Sequence, residues 1–458
     1  MSRVILISVS PGEAWAALCE DDALVELRVA RAGRTARAGE IVLGRVVALK
    51  PELPAALVDI GEKRPAFLSG EDAAQGLTEG QPVVAQVTKE ARADKATTIS
   101  MRVRLQGALL GLVPGGRVEV TGRGMHVDEK ERLMKEVVRL ARPGEGFRIG
   151  AVAFAAPRED LASDVDALRA RWQAIEAARQ GARPPARLEP EEPPFLALLA
   201  ALATPPLNRI VIDDRGALAE ARSWLKRHLP DLVPALELHD VAMPLFELEG
   251  MASQIETALS PRVALPGGGA LTIEAGAVAV TIDVDSGGAP VMATNLAAAK
   301  EAARQIRLRN CAGAIVIDFI AMKERAARER VAATLKQAAA SDPAAPDLLG
   351  WTRLGHFELV RKRRHPALEE LLFERTQEGG RVKTALTVAL EALRAAAREA
   401  KARPARGIAL RLAPELASCL AEGEARPARI ALEARLGRPI SIMSEPGRRR
   451  DSFDIGPA

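Results

Sequence analysis

The stretch from residue 277 to residue 318 constrains the fold more than any other part of the chain. Ala277 to Asp285 alternates apolar and polar with period two, so it reads as a strand with Thr281, Asp283 and Asp285 on one face. A helix over about 293–310 follows, and then an almost wholly apolar strand, Ala312 to Ile317, which ends in Asp318. The unbroken apolar run predicts a second strand covered on both faces. Ligands of open α/β sheets bind beyond the carboxyl ends of strands, so Asp283, Asp285 and Asp318 are expected to converge there.

The rest of the chain is organised around this unit. Residues 1–35 read as two or three strands. From Glu40 to about Arg104 short strand-like runs recur, punctuated by glycines 44, 61, 70 and 80, which is the signature of a small OB-type β-barrel. Amphipathic helices are expected over Lys130–Ala141 and over about 159–180, the latter with Leu161, Val165, Leu168, Trp172 and Ile175 on one face. Gly181 to Pro194 holds five prolines among charged residues and reads as a linker. Beyond it, strands at Arg209–Asp213 and Ala235–His239 flank a helix at Ala217–Arg227. A helix over Lys383–Lys401 opens a compact αβ module ending near Glu445, after which the last residues read as frayed. No internal repeat or heptad run occurs.

At 458 residues the chain is long enough for two to four domains, each with a sizeable core. A hydrophobic fraction of 48% and a charged fraction of 27% exclude a disordered or collagen-like chain. Cys19, Cys311 and Cys419 are too far apart for a CxxC or zinc-finger spacing, which suits a reducing, cytoplasmic setting. The longest apolar stretch, Phe195 to Ala203, has nine residues and is too short for a membrane span. The net charge of +4 proves no nucleic-acid partner, but Arg304/Arg307/Arg309, Arg361 to Arg364 and Arg448 to Arg450 are local clusters able to neutralise phosphates.

Carboxylates at strand ends suit Mg²⁺, which is held by one or two of them together with waters and substrate phosphate. The same aspartates also suit plainer roles, Asp283 and Asp285 opening a turn before Ser286 and Asp318 capping a helix, and the pattern alone leaves both readings open. Pro266 to Gly269 reads as a hairpin turn, since no Lys-Ser/Thr follows as a phosphate loop requires. The five histidines are dispersed and no GxSxG occurs, so zinc-hydrolase and serine-hydrolase readings have no support. Phe67 is a candidate base-stacking ring on the barrel, with a core role as the alternative.

Several blocks, in order and spacing, resemble the catalytic region of the ribonuclease E/G family: Gly267 to Glu274, Thr281 to Gly288, Thr294-Asn-Leu, Ala303 to Asn310, and Ile315 to Ile320. The likeness extends over most of the chain. Pro54 to Gly61 and Ala66 to Leu68 resemble the family's OB barrel, Pro244 to Phe246 and Gln254 to Glu256 its RNase H-like portion, and Val382 onward its small terminal domain. The resemblance implies a multidomain α/β fold. Residues 1–36 and 195–262 would form the RNase H-like portion, 37–105 the barrel, and 106–194 a sensor-like region with the linker. A DNase I-like catalytic domain would span 263–375 and the small αβ domain 376–458.

It also implies an endoribonuclease of RNA processing or decay. Asp283 and Asp318 would hold Mg²⁺, and an activated water would cut single-stranded RNA to leave a 5′-phosphate and a 3′-hydroxyl. Asp285 stands where the family usually has Asn. Arg361 and Arg363 match a basic pair expected to touch RNA, and Phe67, Lys63, Arg64, Lys89 and Lys95 are the expected RNA contacts of the barrel.

The departures imply differences. Phe373 and Thr376 match the two cysteines of the family's zinc link, so no zinc link is expected and any oligomer must form without it. Gly150 and Ala151 match the Arg-Thr pair that senses an RNA 5′-monophosphate, so sensing is not expected. Leu57 replaces a barrel aromatic, and the loop after Asp283 is short. A rival reading is a catalytically weak or inactive RNA-binding protein associated with ribosomes or rRNA, and a third is a DNA nuclease.

Overall fold

The computed structural model describes residues 2–32, 38–50, 52–72, 76–91, 96–121, 126–189, 192–204, 206–363, 365–376 and 380–457. Lys95 and Arg364 lie outside them. The chain divides into two compact units, 34–192 and 1–33 with 193–458.

The first unit carries the barrel. Strands Ile41–Lys50, Ala55–Asp59, Ala66–Ser69, Thr98–Ser100 and Pro82–Lys89 pair in that order, and the last returns to the first, closing five strands. Closure leaves no free sheet edge around the ring, and Val46, Val58, Leu68, Val83, Val87 and Ile99 fill the interior. The proline-rich stretch is not a plain linker, because Ala186 and Arg187 pair with Leu43 and Val42 as a sixth strand. The barrel is followed by a four-stranded sheet packed against helices Val127–Leu140 and Arg158–Gly181. Asp164 on the second helix accepts N–H groups of Ala108, Leu109 and Leu110 at 2.8–3.0 Å, anchoring the turn that enters this sheet.

In the second unit, Arg3–Ser10, Glu13–Glu20 and Ala23–Arg31 form an antiparallel meander. Arg209–Ile212 and Leu236–Leu238 extend it in parallel. A six-stranded mixed sheet follows, in the order Arg262–Ala264, Ala270–Ala275, Ala279–Asp285, Gly313–Asp318, Phe357–Arg361, Asp347–Trp351. Helices Val291–Leu308 and Arg325–Ala339 pack on one face through Ala298, Ala302, Ile306, Val331 and Leu335 against Ile282, Ile315 and Ile317.

The strand ending in Asp318 departs from expectation: Ile315 and Ile317 are buried, but Ala314 is exposed and Val316 half-buried, so helices cover only one face. Small or β-branched residues on the open face produced the unbroken apolar run. The C-terminus also departs from expectation, since Phe453–Gly456 pairs with Ala409–Leu412 instead of fraying. No helix among the described residues is long and apolar enough to cross a membrane.

Candidate active site and RNA interface

The strands Ala279–Asp285 and Gly313–Asp318 run parallel, joined by helix Val291–Leu308, and their register sets Asp283 directly beside Asp318. Neighbouring strands lie about 4.8 Å apart, so the two carboxylates share one edge of the sheet. Val280, Ile282 and Val284 are buried under the helices, which turns Thr281, Asp283 and Asp285 to the open face, where they are exposed. On the other side Thr272 pairs with Asp283, and Arg262 with Thr272. A single cross-strand row thus runs Arg262, Thr272, Asp283, Asp318.

Asp285 does not join the pair. One of its oxygens accepts the Gly287 N–H at 3.0 Å, and the other lies 3.6 Å from the Arg262 guanidinium. This carboxylate opens the turn and has a cation beside it. The expected convergence of three acidic groups is therefore corrected to two, and among the described residues no three His, Cys, Asp or Glu side chains group as ion ligands. Two aspartates still fit Mg²⁺, a hard cation that keeps several waters and needs only one or two carboxylates.

The surroundings fix the pair. The Gly267–Gly269 turn is a hairpin, as its composition indicated, and Gly269, at φ +86°, lies so close to the Asp285 carbonyl that a Cβ would come within 2.5 Å of it. Buried Asn295 donates to the Ile320 carbonyl at 2.8 Å and accepts the Ile320 N–H at 3.1 Å, clamping the chain just beyond Asp318 to the helix. Phe319 packs into an aromatic cluster with Trp351 and Phe357. His356 Nε2 lies 3.7 Å from Asp318 Oδ1. Sequence reasoning missed Arg262, Asn295 and His356 as neighbours of the site. Asn295 stood inside a quoted motif, but its bonds to residue 320 depend on the packing of helix against strand.

Arg361 is corrected. It sits at the opposite end of its strand, across from Gly313, buried at 3% exposure. Its guanidinium binds Asp342 through two bonds of 2.6 and 3.1 Å and also donates to Asn310 and the Cys311 carbonyl. Four of its five N–H groups are bonded inside the protein and the side chain is buried, which leaves it no face to offer RNA. Arg363 is half-buried and paired with Glu370.

Most arginines of the other clusters face carboxylates as well, whereas Arg309 donates to the Gln305 side-chain oxygen and the Thr257 carbonyl. Arg307 faces Glu20 and Glu26, Arg304 binds Glu301 and the Leu24 carbonyl, and Arg448, Arg449 and Arg450 pair with neighbouring carboxylates. Phe373 and Thr376 belong to a small hairpin in which Arg381 stacks 3.3 Å over the Phe373 ring and Thr376 accepts the Gly380 N–H. Burial raises the Cys19 thiol to about 12 and the Cys311 thiol to about 11, so neither supplies a thiolate at neutral pH.

On the barrel, Ala66 and Leu68 point inward and Phe67 outward, half-buried. Phe67 pairs with Leu57 on one side and Thr98 on the other, and Thr98 pairs with exposed Lys89. An outward aromatic ring two strands from an exposed lysine suits a stacked base and its phosphate. Lys63 and Arg64 are exposed in the turn that precedes the Phe67 strand. Phe67→Ala is expected to weaken binding of an unstructured RNA by roughly 10-fold, since stacking contributes ~1–3 kcal/mol per base. Fluorescence anisotropy checks this, and unchanged affinity would make Phe67 a packing residue.

Residues 104–364 match the Ribonuclease E/G family model. Ribonuclease G of Salmonella typhimurium is 29% identical over 99% of this chain and 99% of its own length, and Ribonuclease G of Escherichia coli K12 gives the same figures. Ribonuclease E of a Nostoc species is 32% identical over 78% of this chain and 55% of its own length. The family match spans Asp283, Asp285, Asp318 and His356.

Proposed function

Because the chain belongs to the ribonuclease E/G family, we propose that it is an endoribonuclease that cuts single-stranded RNA with the help of Mg²⁺, in cytoplasmic RNA processing or decay. The observation that carries the reading is the pairing of Asp283 with Asp318 toward the carboxyl ends of adjacent parallel strands, on the uncovered face of their sheet. These two carboxylates would hold the ion. When bound, Mg²⁺ neutralises charge on the phosphate and activates the attacking water.

The protein's own residues do the remaining work. Arg262 lies beside Asp285 and would offset its charge, leaving Asp283 and Asp318 as the pair for the ion. The Asn295 clamp keeps Asp318 from shifting with its loop. In the barrel unit, Phe67 would stack a base, with Lys89, Lys63 and Arg64 offering charge to the backbone. We read the meander-containing sheet as RNase H-like and the six-stranded sheet as the DNase I-like catalytic portion.

Gly150 follows strand Glu145–Ile149 and carries no side chain, so the matched position offers a terminal phosphate no guanidinium. Any oligomer would form without a zinc link, because Phe373 and Thr376 supply no thiolates.

An unstructured RNA oligomer tests the reading, prepared with a 5′-monophosphate or a 5′-hydroxyl and incubated with Mg²⁺ or with EDTA. Cleavage with Mg²⁺, none with EDTA and similar rates for the two ends are expected. A large preference for the monophosphate would overturn the absence of end sensing. Salt-sensitive RNA binding with no cleavage under any condition would favour an RNA-binding protein with a decayed site.

A further inference from the structure

The register of the six-stranded sheet places a histidine on the far side of the carboxylate pair. Strand Phe357–Arg361 runs antiparallel to Gly313–Asp318, with Gly313 opposite Arg361 through to Ile317 opposite Phe357. One further step of the same register sets His356 opposite Asp318, on the same open face. The imidazole follows: Nε2 lies 3.7 Å from Asp318 Oδ1, and the side chain is 37% exposed.

Its backbone is fixed. The Thr352 N–H donates to the His356 carbonyl at 2.8 Å, and the His356 N–H donates to Thr352 Oγ1 at 3.2 Å. The next residue, Phe357, is buried edge-on to Trp351. Asp318 therefore stands between a carboxylate, Asp283, and an imidazole.

A carboxylate ligand is commonly oriented by a hydrogen bond to one of its oxygens, which fixes the direction of the other. At 3.7 Å the contact is too long for a direct bond. Closing it by less than about 1 Å brings it into range, and such bonds often tighten only when the site is filled. An imidazole carries an N–H donor whether neutral or charged, so the role requires no change of protonation.

The geometry points to His356 as a positioning residue for Asp318, donating to one carboxylate oxygen and so setting the other toward Asp283. The inference rests on the reading of Asp283 and Asp318 as the ion-holding pair.

His356→Ala and His356→Gln in the full chain test it, with two readouts: Mn²⁺ affinity without RNA, measured from the electron-spin resonance of free Mn²⁺, and cleavage kinetics with Mg²⁺. In His356→Ala, Mn²⁺ binding is expected to weaken about 10–100-fold and kcat to fall by a similar factor, the range for lost partners of metal ligands. KM for RNA should stay within about twofold, because the contact is to a protein carboxylate. His356→Gln, which keeps an N–H donor, should recover most of both losses.

Unchanged Mn²⁺ affinity and kcat in His356→Ala would overturn the inference. Equal losses in Ala and Gln would also overturn it, assigning His356 to packing. If Asp283→Asn and Asp318→Asn also bind Mn²⁺ normally, the metal-site reading fails and this inference with it. If those two lose Mn²⁺ while His356→Ala retains it, only the role of His356 fails.

Discussion

Asp283→Asn and Asp318→Asn are each expected to lower the rate of RNA cleavage by about 10³-fold, the equivalent of several kcal/mol of lost charge stabilisation. Both side chains are exposed at a sheet edge, and neither makes a hydrogen bond among the described contacts that an amide would break. Fold and RNA affinity should therefore survive. The amide keeps the shape of the carboxylate but removes the anionic donor that a hard cation requires. Single-turnover cleavage of an unstructured RNA, beside anisotropy binding to the same RNA, separates the two effects. Undiminished cleavage by both variants would sink the catalytic reading. Asp285→Asn is expected to do far less, because an amide oxygen can still accept the Gly287 N–H and the position lies outside the pair.

Arg361→Ala should have the largest effect on stability. It leaves the Asp342 carboxylate buried without its ion-pair partner, a loss of about 3–5 kcal/mol for a buried pair broken on one side. It also strands the Asn310 side-chain oxygen and the Cys311 carbonyl, both acceptors of the same guanidinium. Urea denaturation is expected to show a lowered midpoint, with RNA affinity of the folded fraction unchanged. Joint replacement, Arg361→Met with Asp342→Leu, should recover only the part due to the unpaired carboxylate, since Asn310, Cys311 and the Ala344 N–H still lose their partners. Weaker RNA binding at unchanged stability would return Arg361 to the interface.

The contrast between these positions shows how much of the site was legible in the sequence. Asp283 stood out because the period-two alternation of its strand is local, and Asp318 because it ends an apolar run. Arg361 misled because a basic cluster looks the same in sequence whether its charge meets water or a buried aspartate nineteen residues away. Arg307 misled for the same reason, its partner Glu26 lying 281 residues off in the meander, while Arg304 meets Glu301 only three residues away. The proline-rich stretch hid a two-residue strand, because so short a pairing leaves no periodicity to detect.

Local patterns are enough for the run of short barrel strands, the aspartate-ended strands joined by a helix, and the glycine turn at 267–269. These follow from hydrophobic period and backbone freedom, which act over a few residues. Which acidic groups stand together is set by packing between elements distant in the chain. Pairing Asp283 with Asp318, placing Arg262 beside Asp285, and setting His356 across from Asp318 all depend on strand register. Register is fixed by which face of each strand the helices bury, and a slip of one residue would turn every one of these side chains into the core.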